Sequence, residues 1–314
     1  GEPGMRDGLA RPVLWMVCGS FAFASMGALT HALGQRCDFA LIALDRAAVM
    51  FASSILLVYF AGVRPAVWRP RTLWIRSLAG SASLVCNFYA LTRLPLADVL
   101  TLTNSYPLWI VPLAWVALGG VPTTRDLLGV ACGLVGVVIV QQPHFVSGES
   151  LATTLALLSS VMTAVSMIGL HRLKTVDPRA VVAHFSTVAT CVTLAWVWSR
   201  GTKGWAGTFD LSTLVMLVGV GITGTIGQVL LTKAYASGPP TQIAVVGLVQ
   251  VVFALGFDVA IWSRSIDPTT WIGFVLVLSP TAWLMVREQR QATSDEPGEP
   301  STPGMGSTPA TEPD

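Results

Sequence analysis

Charge is the scarcest commodity in this chain of 314 residues: 11% of positions are Asp, Glu, Lys or Arg, under half the ~25% of soluble domains. The net charge is only +2 and the basic residues are scattered, so the footprint of a nucleic-acid binder is missing. Five cysteines, Cys18, Cys37, Cys86, Cys132 and Cys191, form no CxxC pair, and the four histidines form no HExxH. Neither a zinc site nor a disulfide framework is expected. No GxxxxGKS loop is present to hold a nucleotide triphosphate, which excludes ATP hydrolysis by the chain itself. No nucleophile and base converge in the sequence, so a catalytic role lacks its first requirement. No cofactor is implied.

What the chain has is apolar length, with 53% hydrophobic residues. Residues 73 to 142 hold three apolar segments parted only by TRLP and GGVPTTRD. A helix rising 1.5 Å per residue needs roughly 20 residues to cross a hydrocarbon core of about 30 Å, and each segment is long enough. The lipid bilayer is therefore the expected solvent. Spans are predicted over residues 13–33, 39–61, 73–92, 96–118, 124–141, 151–170, 178–198, 211–235, 240–262 and 269–287. Residues 1–12 form a polar lead, and residues 289–314, rich in Pro, Ser, Thr and Gly and without aromatics, are expected as a disordered tail.

The chain also repeats itself. Pro95 matches Pro239, Trp109 matches Phe253 and Gly129 matches Gly273 at one constant offset of 144 residues. Residues 13–142 and 151–288 are thus two copies of five spans each. An odd span number forces the copies into opposite orientations, which is the inverted repeat of secondary transporters. Of the Lys and Arg residues between spans, eleven fall on the side of the N-terminus and five on the other, so both termini are predicted to be cytoplasmic.

Polar residues inside spans are candidates for function, because a charge in hydrocarbon costs at least ~2.5 kcal/mol. Arg46 lies well inside the second span, where anion contact and a structural pair with Asp45 are both open. Thr101, Thr103, Asn104, Ser105 and Tyr106 cluster halfway through the fourth span, ahead of Pro107, which lacks an N–H and is expected to bend the helix. The repeat offset sets Tyr106 opposite Gln250. Asn104, Tyr106 and Gln250 are expected at a central cavity, Thr101 and Thr103 in bonds between helices. Lys233, its repeat counterpart Tyr89, and Arg76 lie near span ends, with snorkelling or a vestibule as alternatives. His184 is the candidate for proton coupling, against a purely structural role. Asp98, Asp258, His31 and His171 sit near span ends and rank below these. Glycines 219, 221, 224 and 227 are expected at close helix contacts.

The run YALTRLPLAD (89–98), the triplet Ser105, Tyr106 and Pro107, and a helix entered through Arg125 with Gly129, Gly133 and Gly136 resemble the EamA domain of the drug/metabolite transporter superfamily. That pattern usually ends its second helix in Gly-Glu, where this chain has Gly119 and Gly120. Residues 230–259 are similar to bacterial relatives of the G subgroup of solute carrier family 35. The resemblance implies an all-α integral membrane protein of ten helices in two inverted five-helix repeats, in the inner (plasma) membrane. The preponderance of Arg46, Arg76 and Lys233 over buried acids points to an organic anion, and the resemblance adds amino acids, metabolites and, in some branches, nucleotide sugars. The expected function is a secondary transporter of a small polar metabolite, an organic anion or amino acid, with protons or a counter-substrate as coupling partner, acting as monomer or homodimer. A membrane scaffold or intramembrane enzyme is the competing class.

Overall fold

The structure, a computed structural model, describes residues 10–34, 36–63, 70–91, 93–94, 96–119, 123–141, 150–200, 210–263 and 267–294. The expected lead over residues 1–9 and the tail over 295–314 lie outside them. Among the described residues there are twelve helical segments: α1 (Ala10–Leu33), α2 (Phe39–Phe60), α3 (Arg71–Leu91), α4 (Leu96–Thr103), α5 (Tyr106–Leu118), α6 (Thr124–Gln141), α7 (Ser150–Arg172), α8 (Pro178–Arg200), α9 (Leu211–Ser237), α10 (Pro240–Gly247), α11 (Val249–Trp262) and α12 (Pro268–Ser294). The last helix runs into the segment expected as tail.

Seven stretches are long and apolar enough to cross a membrane, counting Val99–Leu118 and Pro240–Trp262 as one each. Large apolar side chains face outward along them, Trp198 at 85% exposure and Val116 at 86%. Such a surface is ruinous in water and ordinary in lipid. The chain is a multi-pass membrane protein.

Two spans are broken in the middle, and at repeat-equivalent places. Between α4 and α5 the chain turns at Asn104 and Ser105, with Pro107 in the first turn of α5. Between α10 and α11 it turns at Leu248, whose N–H reaches back to the Val245 carbonyl at 3.1 Å. No proline acts here. At this turn a Cβ on Gly247 would meet Met16 Cε at 2.5 Å and Tyr106 Oη at 2.6 Å, so side chains of α1 and α5 press close against it.

The offset of 144 residues carries Leu96 onto Pro240, Thr103 onto Gly247 and Thr124 onto Pro268. Helix neighbours follow the same rule. α1 packs along α9 as α7 packs along α3, α2 meets α9 as α8 meets α3, and α1 meets α11 as α7 meets α5, while α2–α8 and α6–α12 map onto themselves. In the α6–α12 pair a Cβ on Gly136 would lie 2.8 Å from the Gly273 carbonyl oxygen, a backbone approach that small residues permit.

Among the described residues, hydroxyls stitch several of the spans together. Ser83 Oγ bonds Ser159 Oγ at 3.0 Å and Thr163 Oγ1 at 2.7 Å, joining α3 to α7. Ser54 and Ser186 bond at 2.8 Å between α2 and α8. Asp210 caps α9 by accepting from the Thr213 N–H at 3.0 Å, and Arg36 Nη1 approaches it at 3.8 Å. Hydrogen bonds from the Thr213 hydroxyl and then the Thr213 N–H hold the Asp210 carboxyl below the ordinary carboxylate range.

Candidate functional site

A cavity of about 710 Å³ occupies one half of the bundle, within the ~300–1,000 Å³ of small-molecule sites. Its walls come from the C-terminal halves of α1, α3, α4 and α6, the N-terminal half of α2, the α4–α5 break and the whole length of α11 from Gln250 to Trp262. The other half is filled by the largest apolar cluster, with Val13, Met16, Leu73, Ile110, Leu170, Leu173, Val181, Tyr235 and Ile243 all fully enclosed. One half is open and the other packed.

The α2 helix turns Arg46 into this cavity. Its Nε is buried without a hydrogen-bond partner, and so is Oδ2 of Asp45. Among the described residues no carboxylate pairs with Arg46. The two neighbours project about 100° apart around the helix, and the Asp45–Arg46 pair expected as one alternative is not made. Arg46 reaches across to α9, where a Cβ on Gly224 would lie 3.4 Å from its Nε.

Asn104 and Gln250 line the same cavity, on opposite repeats. Asn104 Nδ2 donates to the Leu100 carbonyl at 2.8 Å, which leaves its amide oxygen available. Tyr106, adjacent in the reasoning from sequence, departs from them. It packs against the apolar cluster of the closed half and its hydroxyl reaches the Ala244 carbonyl at 3.4 Å. Thr103, expected in interhelical bonds, instead bonds within its own helix to the Val99 carbonyl at 2.9 Å and faces the cavity.

The remaining candidates lie elsewhere. Arg76 does not snorkel: it is 1% exposed, with its guanidinium 3.9 Å over the ring of Phe185. His184 is buried beside it, Nδ1 at 2.8 Å from the Ser77 hydroxyl and its ring edge-on to Trp74 at 4.6 Å. Lys233 Nζ lies 5.8 Å over Trp15, and Tyr89 faces Arg93 at 6.0 Å. None of these lines the cavity.

Sequence reasoning missed several lining residues. Asn87 lines the cavity with its Oδ1 buried and unbonded. His31 and Trp262 meet there edge-to-face at 4.8 Å, and Asp258, ranked low for its place near a span end, joins them. The available signal was the repeat partner of each helix, because α1 and α11 can line one cavity only if they face each other. Among the described residues no group of histidines, cysteines or carboxylates is arranged to hold a metal.

Comparison with known proteins agrees with this architecture. The EamA-like transporter family matches the chain twice, over residues 10–141 and 148–286. The pseudopaline exporter CntI of Pseudomonas aeruginosa strain UCBPP-PA14 is 29% identical over 274 residues, covering 87% of this chain and 95% of that protein. Solute carrier family 35 member G1 of Homo sapiens is 25% identical over 240 residues, 70% of this chain and 64% of the human protein. A crystal structure of an 18% identical protein superposes with a TM-score of 0.77, covering 90% of this chain and 99% of that one, a likeness of fold. With both halves matched, the chain belongs to the EamA-like transporter family of the drug/metabolite transporter superfamily.

Proposed function

We propose that the protein is a secondary transporter that carries an organic anion or an amino acid by alternating access through the Arg46 cavity. The observation that carries this reading is an arginine at the cavity wall whose Nε is buried without a hydrogen-bond partner and with which no described carboxylate pairs. Desolvating a cation is costly, and an anionic group of the cargo would offset that cost. Asn104, Gln250 and Asn87 supply amide groups for its polar remainder. Ten spans in two inverted repeats, with the broken pairs α4–α5 and α10–α11 each counted once, agree with the repeat offset and the paired helix contacts. With cytoplasmic termini, the open half faces outward. A relative named as an exporter favours export as the direction.

Ligand-induced thermal stabilisation of the purified protein tests the site. A ligand bound only to the folded state raises its stability by mass action. A panel of labelled carboxylates and amino acids should contain at least one that raises Tm in the wild type. Arg46→Gln should fold in similar yield and need about 10- to 100-fold more of that ligand, the worth of a hydrogen bond to a charged group. Misfolding of Arg46→Gln that is rescued by Asp45→Asn would instead assign Arg46 to structure.

A further inference from the structure

Arg76 is a second buried arginine that the cavity does not use. It ranks first by volume among the fully buried side chains, its Nε and Nη1 have no hydrogen-bond partner, and no described carboxylate pairs with it. The face of Phe185 is what its charge meets. A cation held this way in a membrane interior is expensive, and a charge retained at such cost is a sign of use.

Its place in the repeat shows what the use is. A Cβ on Gly80 would meet Arg76 Nη1 at 3.0 Å, and a Cβ on Gly224 would meet Arg46 Nε at 3.4 Å. Gly80 and Gly224 are separated by the repeat offset that aligns α3 with α9. The remaining neighbours correspond as well: Gly224 faces Met26 of α1 and Arg46 of α2, while Gly80 faces Ser166 of α7 and Phe185 of α8. The two guanidinium groups are contributed by non-equivalent helices, α2 and α3, yet occupy equivalent points of the two halves. One is at the cavity. The other is buried against Phe185, which itself packs with Ala47, Met50 and Ala189, the first of which follows Arg46 in the chain.

We propose that Arg76 is a second anion station, reached from the end of the bundle opposite the cavity. The cargo's carboxylate is held by Arg46 when one half is open and by Arg76 when α3 and α8 part and the other half opens. This rests on the reading of Arg46 as an anion contact. Repeats that exchange conformations exchange the exposure of equivalent points, so a cation at both points gives the anion a partner in either state.

The experiment uses cysteine reporters in a chain whose five native cysteines are replaced by serine. Ser166→Cys, nearly isosteric, reports on Arg76, and Asn104→Cys reports on Arg46. Each is treated in vesicles of known orientation with an anionic methanethiosulfonate (sulfonatoethyl) and a cationic one (trimethylammonioethyl), with rates normalised to free cysteine. Ser166→Cys should react from the side of the N-terminus and favour the anionic reagent about tenfold or more, because a nearby unit charge in a partly desolvated site concentrates anions. Arg76→Gln, or Arg76→Met as a second neutral replacement, should bring the ratio close to one, and Arg76→Lys should keep it. No reaction from that side, or a preference indifferent to Arg76, overturns the second station. Asn104→Cys separates the two readings: its anionic preference should vanish in Arg46→Gln, and if it does not, the Arg46 site itself is wrong.

Discussion

Asp45 and Arg46 are neighbours in sequence and strangers in space, and the site turns on that difference. Their separation around the helix follows from its geometry alone, but which of the two faces the cavity does not. The spans are apolar on all sides, so periodicity gives no inward face to read. For the same reason Tyr106 and Gln250, matched by the repeat, end on different sides of the cavity floor, and Arg76, whose distance from the span end suggested snorkelling, is enclosed by Phe185, Gly80 and Gly169. The expected consequences differ residue by residue. Gln250→Leu should weaken cargo affinity about tenfold with Tm of the empty protein level or higher, since a buried amide gives up its desolvation cost when replaced by an apolar group. Tyr106→Phe removes a hydroxyl that lies outside the cavity, 3.4 Å from the Ala244 carbonyl, and should leave affinity within about twofold. Titration by thermal shift checks both, and an equal loss in the two variants would put Tyr106 back at the site.

At the scale of elements, the break in the fourth span was legible from Pro107, whereas the break at Leu248 was not. No proline marks it, and the close approach of α1 and α5 side chains to Gly247 is a contact that no local pattern announces. The glycines of α6 and α12 carry a clearer message. A leucine at Gly136 would drive into the Gly273 carbonyl and Val277, and overpacking of this kind costs about 1–3 kcal/mol or more. Gly136→Leu should therefore lower Tm or folded yield, whereas Gly27→Ala, where nothing lies within 4 Å, should not. The cap of α9 adds a pH dependence. Because the folded-state pKa of Asp210 is lowered, its contribution is present above the unfolded value of about 3.9 and disappears as pH falls through the folded one. Asp210→Asn should be less stable than the wild type at neutral pH, and the gap should close below about pH 4 in pH-resolved melts.

At the scale of the whole molecule the offset of 144 residues was the most legible feature of all, because it carries α4 onto α10 and α6 onto α12 and leads to the paired helix contacts, while α1, α2 and α3 start within about five residues of the places it predicts for their counterparts. The inward-facing polar set was less so, as it depends on how the apolar rods rotate against one another. The charge asymmetry predicts the topology: reporter fusions after Gln142 and after Gln289 should read the outside and the cytoplasm respectively, and the same side for both would contradict ten spans. The account as a whole stands on vectorial, anion-dependent flux through the Arg46 cavity. Counterflow of labelled carboxylates and amino acids in proteoliposomes measures it most directly. The wild type should show saturable exchange of at least one of them, with Arg46→Gln reduced at least about tenfold at equal reconstitution. Undiminished exchange in Arg46→Gln, or no exchange by the wild type across the whole panel, would contradict it.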